Sequence, residues 1–162
     1  MTIDREPAFE RAMALSLKLL AHRARSESEI HRRLQRAGFA PEVTETTVAR
    51  LKELRYLDDA AYARSRAQTL LSRGRFAPKM VEQRLAAVGV PEQTALAAVR
   101  EARGERDERE LARSCLATRR PALGLEATRL EKVRAARFLS ARGFSEEVAR
   151  EVVGLPEDPA LE

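Results

Sequence analysis

Ser26-Glu27-Ser28-Glu29-Ile30-His31-Arg32-Arg33-Leu34-Gln35-Arg36-Ala37-Gly38-Phe39 reads as one helix with its own start and stop. Ser26 and Glu29 stand at capping-box spacing, where the serine side chain takes the N–H three residues on and the glutamate reaches back. Ile30 and Leu34, four apart, put two apolar side chains on one helical face. Gly38 can adopt the left-handed conformation that ends a helix, and Pro41-Glu42 suits the first turn of the next.

The same grammar returns twice. Leu34, Leu85 and Leu139 are each followed, after three residues, by Gly38, Gly89 or Gly143 and then by an apolar residue, Phe39, Val90 or Phe144. The glycines lie 51 and 54 residues apart. Ile30, Val81 and Ala135 stand four positions before the leucines, and Pro41-Glu42, Pro91-Glu92 and Ser145-Glu146-Glu147 open the helix that follows. Each segment also has room for a preceding helix. Ala8 to His22 carries Phe9, Met13, Leu15, Leu19 and Leu20; Asp58 can cap one holding Tyr62, Ala63, Leu70 and Leu71; Glu110 to Arg119 holds Leu111, Cys115 and Leu116. Val43, Val48, Leu51 and Leu54 supply a stripe after Gly38, and no segment alternates with a period of two.

The expected fold is therefore all-α, in three tandem three-helix repeats over residues 1–57, 58–103 and 104–153. Pro121 and Gly124 should separate the first two helices of the third repeat, the second of them starting within Leu125 to Thr128. Residues 154–162 carry no pattern and are expected to fray.

Composition narrows function. The 162 residues are 44% hydrophobic, enough for a core, with 34% charged, only 4% aromatic and no Trp. That excludes an aromatic-rich barrel and argues against a base-stacking platform, since the five Phe and two Tyr mostly take core-like positions. No apolar run approaches the ~20 residues of a membrane span, and Met1 to Pro7 does not resemble a signal peptide. The lone Cys115 rules out an internal disulfide framework. A cytoplasmic protein without a membrane association is expected.

Catalytic groups do not converge. His22 and His31 belong to different expected helices, and Cys115, in another repeat, reads as a small core residue. Phosphate-binding glycine loops and nucleophile elbows are missing from the sequence. Asp58 reads as an N-cap with Asp59 in the acidic first turn behind it. No catalytic, cofactor-binding or metal-ligating residue is expected, and the chain is not read as an enzyme.

Charge is more informative. The net charge is +5, with 26 Arg and four Lys among the basic residues, and the isoelectric point is near 10.0. Residues 1–57 and 58–103 each carry +3; residues 104–162 carry −1, although 111–156 within them carry +4. The clusters are Arg23/Arg25, Arg32/Arg33/Arg36, Arg73/Arg75/Lys79 with Arg84, Arg119/Arg120, and Arg129/Lys132/Arg134/Arg137. Cations at helix ends also favour the helix dipole, which accounts for part of the clustering at Arg73, Arg75, Arg119 and Arg120. The functional reading is a discontinuous basic strip facing phosphates or an acidic protein groove, built from Arg23, Arg25, Arg32, Arg33, Arg36, Arg73, Arg75, Lys79, Arg84, Arg119, Arg120, Arg134 and Arg137.

Three stretches resemble the RecX family of bacterial regulators of the RecA recombinase. They are Arg25-Ser26 through Glu29, Leu34 and Gly38-Phe39; Leu54-Arg55-Tyr56-Leu57-Asp58-Asp59 with Tyr62-Ala63, Arg73-Gly74, Leu85 and Gly89-Val90; and Lys132 with Arg137-Phe138-Leu139 and Arg142-Gly143-Phe144-Ser145. In family order they span most of residues 12–153. Phe76-Ala77-Pro78 departs from the pattern where many relatives carry another glycine, and Leu125 to Thr128 lacks an aromatic often found there. The resemblance implies an elongated, curved three-repeat protein, a monomer, that binds the RecA–single-stranded DNA filament and usually depresses ATP hydrolysis and strand exchange. Its implied partners are the RecA filament, the single-stranded DNA within it and free DNA. The competing class is a direct nucleic-acid-binding helical module, although no segment shows a recognition helix rich in Asn, Gln and Arg at base-contacting spacing.

Overall fold

Residues 5–118 and 127–156 are described by the computed structural model, and among them every regular element is helical. The order is α1 (Arg5–His22), α2 (Glu27–Arg36), α3 (Pro41–Glu53), α4 (Asp59–Ser72), α5 (Pro78–Ala87), α6 (Glu92–Arg103), α7 (Glu108–Ala117), α8 (Arg129–Ser140) and α9 (Glu146–Val153). These are three tandem sets of three helices. None of the described helices is long and apolar enough to cross a membrane.

Local chemistry places the ends. Ser26 accepts from the Glu29 N–H at 3.2 Å and the Glu29 carboxylate accepts from the Ser26 N–H at 3.3 Å, completing the expected capping box. Asp107 with Glu110, and Thr128 with Glu131, form two more. They shift two expected boundaries: α7 begins at Glu108 rather than Glu110, and α8 begins at Arg129, after the expected start within Leu125 to Thr128. Helix α1 begins at Arg5 rather than Ala8, because Pro7 lies in a first turn whose N–H groups need no intrahelical partner. Helix α7 ends at Ala117 with Thr118 as its C-cap, two residues before the expected end at Arg119, and the expected break at Pro121 and Gly124 lies outside the described residues.

The recurring Leu-three-residues-Gly-apolar signal is a Schellman turn. Phe39, Val90 and Phe144 donate their N–H to the carbonyls of Leu34, Leu85 and Leu139 at 3.2, 3.1 and 3.3 Å. Gly38, Gly89 and Gly143 donate to Gln35, Ala86 and Ser140 with φ of 86°, 84° and 91°. Those are the two bonds that satisfy the last carbonyls of a helix when the residue after the cap turns left-handed. The three leucines are almost completely buried, as are Ile30, Val81 and Ala135 one helical turn earlier. The same turn closes α9: Gly154 has φ +68°, Leu155 donates to Arg150 at 2.9 Å, and Leu155 packs on the core. The chain thus stays held through Leu155, where fraying had been expected from Gly154 onward.

The chain forms two compact units. One takes residues up to Ala63 together with Leu85–Ala95, and the other takes Arg64–Arg84 with the residues from Leu96 onward. The first is built on Ala12, Ile30, Leu34, Val43, Leu51 and Leu57. The second is built on Leu111, Ala112, Cys115, Ala135, Leu139, Phe144, Val148, Ala149 and Val153.

Within each unit a glycine turn meets the start of a second helix. In the first, the Ser26 hydroxyl donates to the Val88 carbonyl at 2.5 Å, and a Cβ on Gly89 would lie 2.3 Å from the Ser28 Cβ. In the second, the Ala77 N–H donates to the Arg142 carbonyl at 2.9 Å, and a Cβ on Gly143 would lie 2.8 Å from that of Met80. Val88 and Arg142 both immediately precede a repeat glycine, and Ser26 and Ala77 both stand eight residues before a repeat leucine. The glycine therefore serves the turn and the junction at once. A Cβ on Gly38 would meet nothing within 4 Å.

Candidate functional site

The second unit carries an arginine-lined groove of about 520 Å³, walled by Arg73, Gly74, Arg75, Phe76, Thr118, Phe138 and Arg142. Helix α4 ends in a left-handed Gly74, φ +55°, whose position leaves no room for a side chain: a Cβ there would sit 3.0 Å from the Ser114 carbonyl oxygen. This close approach holds the Arg73–Arg75 backbone against α7. Arg142 comes from the turn after α8. Its Nη1 donates to the Arg75 carbonyl at 3.1 Å, and its guanidinium lies 4.8 Å from the Phe138 ring centre and 5.3 Å from that of Phe76. Arg84 covers Phe76 more closely, at 3.9 Å. Each such cation–π contact contributes ~0.5–1 kcal/mol at an exposed site and fixes a side chain that otherwise has much rotamer freedom.

None of the described lining residues is acidic. The groove thus offers three guanidiniums, with Arg84 on the shared ring, to an anion. Planar guanidiniums match carboxylate and phosphate oxygens two at a time.

The basic residues singled out in the sequence divide. Arg73 and Arg75 line the groove, and Arg84 stacks beside it. Lys79 is exposed in the first turn of α5. Arg32, Arg33 and Arg36 are exposed on α2, away from the buried Ile30 and Leu34. Arg134 is exposed on α8. Arg137, also exposed, faces a smaller depression of about 360 Å³ together with Arg129, Arg150 and Glu146. Arg119 and Arg120 lie outside the described residues.

Arg23 and Arg25 are both engaged by groups of the protein itself, Arg23 at the surface and Arg25 buried. Arg23 reaches Glu29 at 2.5 Å and the Ala24 carbonyl at 3.0 Å. Arg25, its side chain only 9% exposed, donates to the Leu19 carbonyl at 3.2 Å and lies 3.7 Å from Glu29. Burial lowers the Arg25 guanidinium, with Arg23 adding to the effect, whereas the Glu29 hydrogen bond raises that of Arg23. Burial pushes the Glu29 carboxyl up, but the Arg23 hydrogen bond, the Ser26 N–H and the two arginine charges outweigh it, leaving Glu29 below its ordinary range. Asp58 caps α4, accepting from the Ala61 N–H at 2.9 Å. Asp59 does more than fill the first turn: its carboxylate accepts from the Glu27 N–H at 2.8 Å, capping α2 from 32 residues away. Burial raises its carboxyl, and that hydrogen bond opposes the shift. Cys115 is a core residue whose thiol burial also pushes up.

Sequence reasoning missed Arg142, Phe138, Phe76 and Thr118 as groove residues. Phe76 is half-buried beneath Arg84 and Arg142, Phe138 packs on the core of the second unit while stacking with Arg142, and Tyr56 is 56% exposed. A phenylalanine directly after Arg73-Gly74-Arg75 was the available signal, since a ring beside several guanidiniums is a stacking partner as readily as a core residue.

Comparison with known proteins agrees with this architecture. The family model for the RecX first three-helix domain matches residues 12–51, from within α1 to near the end of α3. Regulatory protein RecX of Thermus thermophilus is 34% identical over 147 residues, covering 91% of this chain and 93% of that protein. The chain belongs to the RecX family. Regulatory protein RecX of Mycobacterium avium is likewise 34% identical, over 89% of this chain and 83% of the relative. A crystal structure of regulatory protein RecX superposes with a TM-score of 0.72 at 25% identity, over 91% of this chain and 73% of that one. RecX from Lactobacillus salivarius has the same TM-score at 17% identity, over 91% and 96% of the two chains, and shares the fold. RecX relatives therefore match nearly the whole chain, beyond the domain the family model covers.

Proposed function

We propose that this RecX-family chain regulates the RecA recombinase by binding the RecA–single-stranded DNA filament, modulating ATP hydrolysis, strand exchange and filament growth without chemistry of its own. The observation that carries the reading is the groove of Arg73, Arg75 and Arg142, whose described lining holds no acid and whose Arg142 is held by the Arg75 carbonyl and the Phe138 ring. Arg32, Arg33, Arg36, Lys79 and Arg84 extend the contact surface. A filament presents many shallow, repeated anionic positions, and several weak contacts on one chain engage it with an affinity beyond any single one. Such a regulator works where RecA meets DNA, in the cytoplasm.

The test is DNA-dependent ATP hydrolysis by RecA from the same source, with the protein added after filaments form. Wild type should inhibit, and Arg73→Glu/Arg75→Glu should lose most of that inhibition while melting normally. Inhibition unchanged by the double variant at low salt would move the site elsewhere. The second reading, a nucleic-acid-binding module without a recombinase partner, draws on the same groove, because phosphodiesters also fit paired guanidiniums. Equal affinity for filament and naked oligonucleotide at equal salt, with no effect on hydrolysis, would favour it.

A further inference from the structure

We infer that the groove of the second unit is a built phosphate-binding site in which Phe76 is the positioning residue, ordering Arg84 and Arg142 for phosphate oxygens. The inference rests on reading the groove as the anion-binding surface, and it specifies which anion: phosphate groups, rather than the carboxylates of an acidic protein surface.

A diffuse basic patch has flexible side chains, each restrained only by its own stem. This groove differs. Phe76 touches two guanidiniums, from α5 and from the turn after α8, at 3.9 and 5.3 Å. Phe138 holds the second of these from another side of the groove, at 4.8 Å. The Arg142 Nη1–H is used on the Arg75 carbonyl, which fixes the plane of the fork and leaves its other N–H groups for a ligand. The Gly74 approach to Ser114 holds the backbone bearing Arg73 and Arg75.

Ordering of this kind lowers the entropy lost on binding, so part of the affinity depends on uncharged rings. Phosphate fits better than carboxylate. Three guanidiniums lining one cavity can each meet an oxygen of a tetrahedral phosphate from a different direction, on the two non-bridging oxygens of a diester or the three or more of a free phosphate, whereas the two oxygens of a carboxylate lie in one plane. The Thr118 hydroxyl already donates to the Cys115 carbonyl at 2.8 Å, so the arginines supply the recognition.

Two phosphate sources share this chemistry, a nucleic-acid backbone and a free polyphosphate. The experiment measures binding of the full chain, without RecA, to oligodeoxythymidine, inorganic pyrophosphate and polyglutamate at one fixed low salt. Oligodeoxythymidine bound well above pyrophosphate indicates the backbone; the reverse order indicates a free phosphate compound. Either supports the site. Phe76→Leu removes no charge, yet should weaken phosphate binding about fivefold, the loss of roughly one ordering contact. Arg142→Lys keeps the charge but loses the planar fork, and should weaken it comparably. Arg100→Ala, exposed on α6 outside the groove lining, should leave affinity within about twofold, with salt dependence slightly reduced. Unchanged affinity in Phe76→Leu would reduce the groove to diffuse charge and overturn the inference, as would polyglutamate binding as tightly as oligodeoxythymidine. If Phe76→Leu does not fold, Phe138→Leu and Arg142→Lys answer the same question. Normal phosphate binding without any effect on RecA would keep this inference and remove the proposed function. Inhibition of RecA without phosphate binding would do the opposite.

Discussion

Replacing Gly89 by alanine should destabilise the protein far more than replacing Gly38, although both glycines occupy the same turn with nearly the same φ, 84° and 86°. The shared cost is that of an L-residue in the left-handed region, ~1–2 kcal/mol. At Gly38 nothing further is met, since no atom lies within 4 Å of the new methyl. At Gly89 the methyl would sit 2.3 Å from both the Cβ and the Oγ of Ser28. The hydroxyl can rotate away, but the Cβ is fixed to the first turn of α2, so the turn itself must retreat. Overpacking of that kind costs ~1–3 kcal/mol, and retreat also stretches the Ser26–Val88 hydrogen bond, worth about 1 kcal/mol more. The expected destabilisation is thus about 1–2 kcal/mol for Gly38→Ala and about 3–6 for Gly89→Ala by the same sum. Urea unfolding followed by circular dichroism measures both. Removing the obstructing carbon in Gly89→Ala/Ser28→Gly should recover most of the difference, at a helix cost of ~0.5–1 kcal/mol for the new glycine. If the two single variants agreed within about 0.5 kcal/mol, the turn alone would set the glycine requirement and the junction argument would fail.

Three further outcomes are expected. Arg55 holds a left-handed φ of 59° in a turn where Tyr56 donates to Leu51 at 2.8 Å, so Arg55→Gly should stabilise by about 1 kcal/mol in the same unfolding assay; a loss would show that the arginine side chain does more than fill the turn. Thr44 is fully buried with no hydrogen-bond partner for its hydroxyl among the described residues, so the isosteric Thr44→Val should raise stability by ~1 kcal/mol, whereas Thr47→Val, which loses a 2.7 Å bond to the Val43 carbonyl, should not. Glu29 titrates lower folded than unfolded, so its contribution is fully present above its ordinary value near 4.5 and is lost as pH falls through the lower folded value. Glu29→Gln should flatten that acid limb of a stability–pH profile, and an unchanged limb would remove Glu29 from the account.

What the sequence determined by itself was everything set within about six residues. Capping boxes, Schellman turns and four-residue apolar spacing each close inside a single helix end, so Ser26-Glu29 and Leu34-Gly38-Phe39 announced α2 with no knowledge of its neighbours. The buried equivalence of Leu34, Leu85 and Leu139 followed from the same local logic. Even the boundaries that moved, at α7 and α8, moved to capping residues present in the sequence, Asp107 and Thr128.

Only the tertiary structure decided which helix ends meet, and with that the role of each charge. Arg25 and Arg75 are both arginines next to a helix end, yet one is buried against Glu29 and the Leu19 carbonyl while the other lines the groove. Asp59 looked like a first-turn acid until α4 was found beside the start of α2. Phe76 and Arg142 stand 66 residues apart and come together because the Ala77 N–H docks on the Arg142 carbonyl. Helix termini are specified by neighbours along the chain, whereas a site made of several termini depends on packing between segments that share no local signal, and packing is settled by shape and burial over the whole unit.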